Sequence, residues 1–138
     1  MPCRILGFCR AFFPMDDKAK KHFSKGEQDF RQADHEMYKP EEDIVSLVVC
    51  RGTLGSIENY LRGFLALRGY ETRDDECVGE LMARCRMLDK KFNSIRIEEI
   101  DCRNENAQDL HCEEIEKLGA CYQVADRLDT LMRKKGIL

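Results

Sequence analysis

The residues best placed to do chemistry fall in one short phrase, Ser56-Ile57-Glu58-Asn59-Tyr60-Leu61-Arg62-Gly63-Phe64. Glu58, Asn59 and Arg62 stand at i, i+1 and i+4. On a helix the spacing of four makes Glu58 and Arg62 neighbours, an ordinary pair worth about 0.2–0.5 kcal/mol. Asn59 and Tyr60 add an amide and a phenol, groups that can line a pocket between helices. Glu58, Asn59, Tyr60 and Arg62 are therefore the candidate ligand or interface residues.

Other reactive side chains suggest less. The eight cysteines, at positions 3, 9, 50, 77, 85, 102, 112 and 121, contain no CxxC and no zinc-finger spacing with histidine. Cys50, Cys85 and Cys121 fall on apolar helical faces, where a free thiol behaves as a small hydrophobe. Without a secretory signal the expectation is reduced thiols in a cytoplasmic protein. None of the three histidines has a Glu three residues before it, which excludes the paired Glu-x-x-His of a di-iron bundle. No glycine-rich phosphate loop, HExxH or nucleophile elbow occurs. Neither a metal nor another cofactor is expected.

The elements that would position these groups are helical. Leu47, Cys50, Leu54, Ile57, Leu61 and Phe64 are separated by three, four, three, four and three residues, the beat of one helix face. Pro40 and the acids Glu41, Glu42 and Asp43 mark a start and Gly69 a stop, which predicts a spine helix of roughly 28 residues, about 42 Å long. Before it, Ala19, Phe23, Gly26, Phe30, Ala33 and Met37 predict a helix from about Asp16 to Met37. The tight Lys39-Pro40 link makes these two an antiparallel pair. A third helix is expected from about Asp75 to Lys90, capped by Thr72 or Asp74, with Val78, Leu81, Met82, Cys85 and Leu88 inward. Lys91 to Asn106 reads as a long connection anchored by Phe92, Ile95, Ile97 and Ile100. The fourth helix runs from about Ala107 to Lys135, with Leu110, Glu114, Leu118, Cys121, Ala125, Leu128 and Met132 on its stripe, and Gly136 ends it. Gly52, Gly55 and Gly63 lie inside the spine and point to close helix packing.

These elements predict an all-α, antiparallel up-and-down bundle of four to five helices. One domain, residues 16–138, would follow an N-terminal extension, residues 1–15, that is loosely attached. The extension is apolar but too short to span a membrane. With 23 basic against 26 acidic residues, a net charge of −3, the bulk composition carries no DNA-binding signal.

In order and pattern the chain resembles the HEPN superfamily of helical domains over roughly residues 16–135. The strongest part is Ile57-Glu58-Asn59-Tyr60-Leu61-Arg62-Gly63-Phe64-Leu65-Ala66-Leu67-Arg68-Gly69, a second helix rich in small residues that ends at a glycine. The resemblance implies an up-and-down bundle that is frequently dimeric. It also implies a partner of the nucleotidyltransferase type, as in toxin–antitoxin pairs, or a nucleotide or RNA ligand. Many members are metal-independent ribonucleases with an R-x4–6-H motif, in which imidazole moves a ribose proton and guanidinium steadies the phosphorane. The weak candidates for those roles are Arg103 and His111, but seven residues separate them. The expectation is therefore a non-catalytic HEPN-like protein that acts by self-association, by a partner or by nucleotide binding. A ribonuclease with a lengthened motif and a plain regulatory or structural bundle are the alternatives.

Overall fold

The computed structural model describes residues 17–97 and 115–138. Among the described residues there are four α-helices and no strand: α1 (Asp17–Met37), α2 (Ser46–Leu67), α3 (Val78–Leu88) and α4 (Ile115–Lys134). Short 3-10 turns cover Glu41–Asp43 and Lys90–Ser94. The architecture is the expected all-α bundle.

Packing of α1 on α2 sets its form. Phe23 lies against Gly63, Gly26 against Tyr60, Asp29 against Gly55 and Ala33 against Gly52. Numbers rise along α1 as they fall along α2, so the pair is antiparallel. A Cβ added to Gly52 would stand 2.9 Å from both the Asp29 carbonyl oxygen and the Ala33 Cβ. One added to Gly26 would stand 2.8 Å from the Tyr60 ring, and one on Gly63 2.9 Å from the Phe23 ring. The spine glycines thus permit a close approach, at a helix-propensity cost of about 1 kcal/mol each.

α4 closes the bundle against both helices. The Tyr122 ring stacks on Phe30 with centroids 5.6 Å apart, and the Tyr122 hydroxyl donates to Asp34. Eleven positions further along, Arg133 donates to Glu27 at 2.8 Å, so α4 is antiparallel to α1. The buried Tyr60 hydroxyl donates to Asp129 at 2.7 Å. Burial and that carboxylate both push the phenol's pKa up. Fully buried Ile57, Leu61, Leu65, Leu81, Met82, Phe92, Leu118, Leu128 and Met132 fill the centre. Phe64 and Phe92 meet at 4.7 Å, tilted by 59°, which seats the 3-10 turn on α2. Gly69 and Gly136 follow α2 and α4 with φ of 87° and 79°, conformations that glycine adopts at no steric cost.

The spine differs from its expectation at its start. It has 22 residues rather than 28, because Pro40 and the acids form a separate 3-10 turn and Ile44 and Val45 are extended. The buried Glu36 carboxylate accepts the Val45 backbone N–H at 2.8 Å, which pins the chain before α2 begins. This bond, with help from Lys39, holds the Glu36 carboxyl below the usual carboxylate range. Its stabilising effect is therefore present at neutral pH and fades as pH falls through that lowered value. Leu47, expected inward, is 47% exposed, since α2 turns its buried arc toward α1 only from Val49 onward.

α3 is shorter than expected at both ends. Cys77, not Thr72 or Asp74, precedes it, and Glu80 accepts the Cys77 N–H at 3.0 Å. The expected inward residues Val78, Leu81, Met82 and Cys85 are buried. So are Phe92, Ile95 and Ile97 of the following connection. Residues 1–16 and 98–114 lie outside the described residues, and with them the proposed extension, Ile100, Leu110, Glu114 and the expected start of the last helix. No helix among the described residues is long and apolar enough to cross a membrane.

Two glycine substitutions test the packing. Gly79, in the first turn of α3, has only an ordinary contact, the Cys77 Sγ at 3.8 Å. Gly79→Ala should stabilise the fold by about 0.5–1 kcal/mol. At Gly52 the same gain of about 1 kcal/mol is opposed by backbone overlap, and overpacking costs about 1–3 kcal/mol. Gly52→Ala should be net destabilising. Urea unfolding that ranks Gly52→Ala above the parent would refute the close approach.

Candidate functional site

On one flank of the α1–α2 seam lies a cleft of about 420 Å³ lined by Lys18, His22, Glu58, Asn59, Arg62, Thr72 and Asp74. Three pieces of chain build it. α1 supplies Lys18 and His22 from the edge of its apolar stripe. α2 supplies Glu58, Asn59 and Arg62. The loop between α2 and α3, residues 68–77, supplies Thr72 and Asp74.

Arg62 holds the loop wall in place. Its residue is 5% exposed. Its Nε donates to Glu58 at 2.9 Å. One terminal nitrogen donates to the Thr72 hydroxyl oxygen at 2.9 Å and to the Arg73 carbonyl at 2.8 Å. The other donates to the carbonyls of Asp74 at 3.5 Å and Glu76 at 3.2 Å. All five guanidinium N–H groups thus have acceptors in the chain. The Glu58–Arg62 pair, read from sequence as an ordinary helix pair, is one spoke of a hub centred on the buried Arg62.

A second ion pair steadies the same loop. Buried Glu76 accepts both oxygens' worth of contact from Arg84, at 2.9 and 2.8 Å, and the Arg73 backbone N–H at 2.7 Å. Burial alone would raise its pKa, but these hydrogen bonds outweigh it and the carboxyl sits below the usual range.

The opposite wall is fixed through an amide. Asn59 Nδ2 donates to the Gly55 carbonyl at 2.8 Å, so Oδ1 is its acceptor end. That oxygen lies 2.9 Å from His22 Nδ1, which makes Nδ1 the protonated nitrogen and leaves Nε2 as the lone-pair nitrogen of the neutral ring. Among the described residues, none bonds Nε2.

Of the sequence candidates, Glu58, Asn59 and Arg62 come together in this cleft, while Tyr60 turns to the core and bonds Asp129. Arg103 and His111 lie outside the described residues. Lys18, His22, Thr72 and Asp74 were missed as site residues. Position 22, beside the stripe residues Ala19, Phe23 and Gly26, was the one available signal. Thr72 and Asp74 give no such sign, because only the loop's path brings them over α2. No group of three or more His, Cys, Asp or Glu among the described residues could hold a metal ion.

The thiols divide into two kinds. Cys85 is free and buried, Cys121 is buried, and burial pushes the Cys85 thiol up to about 12. Cys77 is free and half-buried. Cys50 corrects the expectation of a reduced thiol: it is in a disulfide. A small apolar face was the correct placement for Cys50, but helical spacing says nothing of what a distant cysteine brings to it.

Comparison with protein-family models, with curated proteins and with solved structures gives no match.

The Arg62 hub predicts a graded loss. Arg62→Met removes the donor from a nearly buried set of acceptors and should destabilise by about 3–5 kcal/mol. Arg62→Lys, with at most three donors, should fall between. Amide hydrogen exchange should rise first at residues 71–76. Parent-like unfolding and exchange in Arg62→Met would show that the loop does not depend on this side chain.

Proposed function

We propose that this chain is a HEPN-like helical protein that acts by binding and not by catalysis, with the cleft between α1, α2 and the 68–77 loop as its ligand site. The observation that carries this reading is the built character of the cleft. Its volume, about 420 Å³, lies in the range of small-molecule sites. Its walls are held by hydrogen bonds that do not involve a ligand, the Arg62 hub on one side and the His22–Asn59–Gly55 chain on the other. A site whose supporting contacts are complete before binding is pre-organised, which lowers the entropic cost of binding.

A thermal-shift screen of nucleotides and small polar metabolites, followed by NMR titration of the full chain, tests this reading. At least one compound should raise the unfolding temperature and move the His22 and Asn59 resonances. Both effects should vanish in His22→Ala. A screen in which nothing moves those resonances would sink it.

A second reading, association with another copy or with a partner protein of the nucleotidyltransferase type, draws on a different place. Tyr38, Val45 and Leu47 are exposed by 80%, 50% and 47%, and all three lie at the tip of the α1–α2 hairpin. A homodimer built there should show twice the chain mass by light scattering and revert to one chain in Leu47→Glu. A monomeric parent chain at high concentration excludes the homodimer.

A further inference from the structure

We propose that the cleft binds a small dibasic amino acid, with the ligand carboxylate on Lys18 and its N–H groups on His22 Nε2, Glu58 and Asp74. This deepens the reading of the cleft as a ligand site and rests on it.

The hydrogen-bonding inventory leads there. Arg62 looks like the anion-binding group of the cleft, but its five N–H groups all end on Glu58, Thr72 and the loop carbonyls. It has none left for a ligand. Lys18 is exposed and, among the described residues, pairs with no carboxylate, so it is the lysine in the lining that can meet an anionic group. Acceptors are more plentiful. Asn59 Oδ1 accepts the His22 Nδ1–H, so in the neutral imidazole Nε2 is the nitrogen with the lone pair. Glu58 gives one oxygen to Arg62 and keeps the other. The Asp74 side chain is exposed, and among the described residues only its backbone carbonyl is engaged.

A ligand that satisfies this lining must carry one anionic acceptor and several N–H donors. A phosphate-rich molecule does the reverse. It would bring two or more negative charges to a single lysine and face two carboxylates, and like charges brought together cost several kcal/mol. A simple amine satisfies the carboxylates but leaves Lys18 facing it. One carboxylate with two basic nitrogens matches both walls. Charge-assisted hydrogen bonds of this kind are the strong ones, roughly twice a neutral bond, and a wrong partner leaves them unpaired.

The experiment is an amide NMR titration of the full chain with four probes: L-arginine, agmatine (the same molecule without the carboxylate), acetate and AMP. L-Arginine should give saturable shifts at His22, Asn59 and Asp74, with agmatine and acetate each at least about ten-fold weaker. Lys18→Ala should bring L-arginine down to the agmatine level and leave agmatine unweakened. Asp74→Asn should weaken L-arginine and agmatine alike, by about ten-fold. Both substitutions are at exposed positions, so a fold that survives is expected, and an unchanged unfolding temperature checks it. Agmatine binding as tightly as L-arginine overturns the carboxylate–Lys18 contact and with it the proposal. AMP saturating the same resonances at lower concentration overturns the proposal but leaves the cleft as a ligand site. If none of the four probes moves these resonances the proposal fails, and the wider screen above then decides separately whether the cleft binds anything.

Discussion

Where Gly52 meets Ala33 there is no room between the helices for a side chain, since an added Cβ would lie 2.9 Å from backbone and side-chain atoms of α1. Much else depends on this contact. Two antiparallel helices at such close range present one continuous surface to α4, and the buried Tyr60–Asp129 bond and the Phe30–Tyr122 stack both attach α4 to it. Each glycine weakens α2 as an isolated helix. The helix persists because tertiary packing, rather than propensity, supplies most helical stability in proteins. Burial of Ile57, Leu61 and Leu65 on the same helix is that packing.

A buried charge is the second constraint, and it acts on a loop rather than a helix. Arg62 is taken almost wholly out of water, which is tolerable only with complete hydrogen bonding and a counter-charge. Glu58 supplies the counter-charge, and the loop supplies the remaining acceptors. The arrangement specifies geometry more than it stabilises, because a well-packed apolar residue often does as well energetically. What an apolar residue cannot do is point four loop acceptors at one place. The path of residues 71–76, and so the position of Thr72 and Asp74 over α2, follows from the guanidinium's planar fork.

How much of this was legible in the sequence depends on the range of the interaction. Helix existence and face were legible where a local period recorded them: the buried set Ala19, Phe23, Phe30 and Ala33 follows the stripe read for α1, and Cys50, Ile57, Leu61 and Phe64 that read for α2. Glycine spacing in α2 announced close packing. The start of α2 was misplaced because Pro40 and three acids are equally good openings for an α-helix and for a 3-10 turn. What decided between them was Glu36, nine residues before Val45 and on another helix. The same limit applies to the site. Glu58, Asn59 and Arg62 were picked out as a local cluster, while His22 is 37 residues from Asn59 and Asp74 is 12 from Arg62. Tyr60, read as able to line a pocket between helices, is buried in the core. A phenol suits a pocket or a core equally, and only Asp129, 69 residues away, claims its hydroxyl.

Packing and site share one row of residues on α2. Gly55, Asn59 and Gly63 are four apart, so they stand one above another along the helix. Asn59 is thus the only member of that row with a side chain, and the glycines on either side let α1 come close beside it. Gly63 receives the Phe23 ring and Gly55 the Asp29 carboxylate. His22, next to Phe23, is carried by the same approach to within 2.9 Å of Asn59. A larger residue at either glycine would move α1 outward and open that bond before it touched the cleft itself. The imidazole's orientation therefore depends on backbone spacing as well as on Asn59, the cleft residue it bonds. The site inherits its precision from the seam, which is why the three spine glycines, and not the polar residues alone, belong in any account of what the cleft can bind.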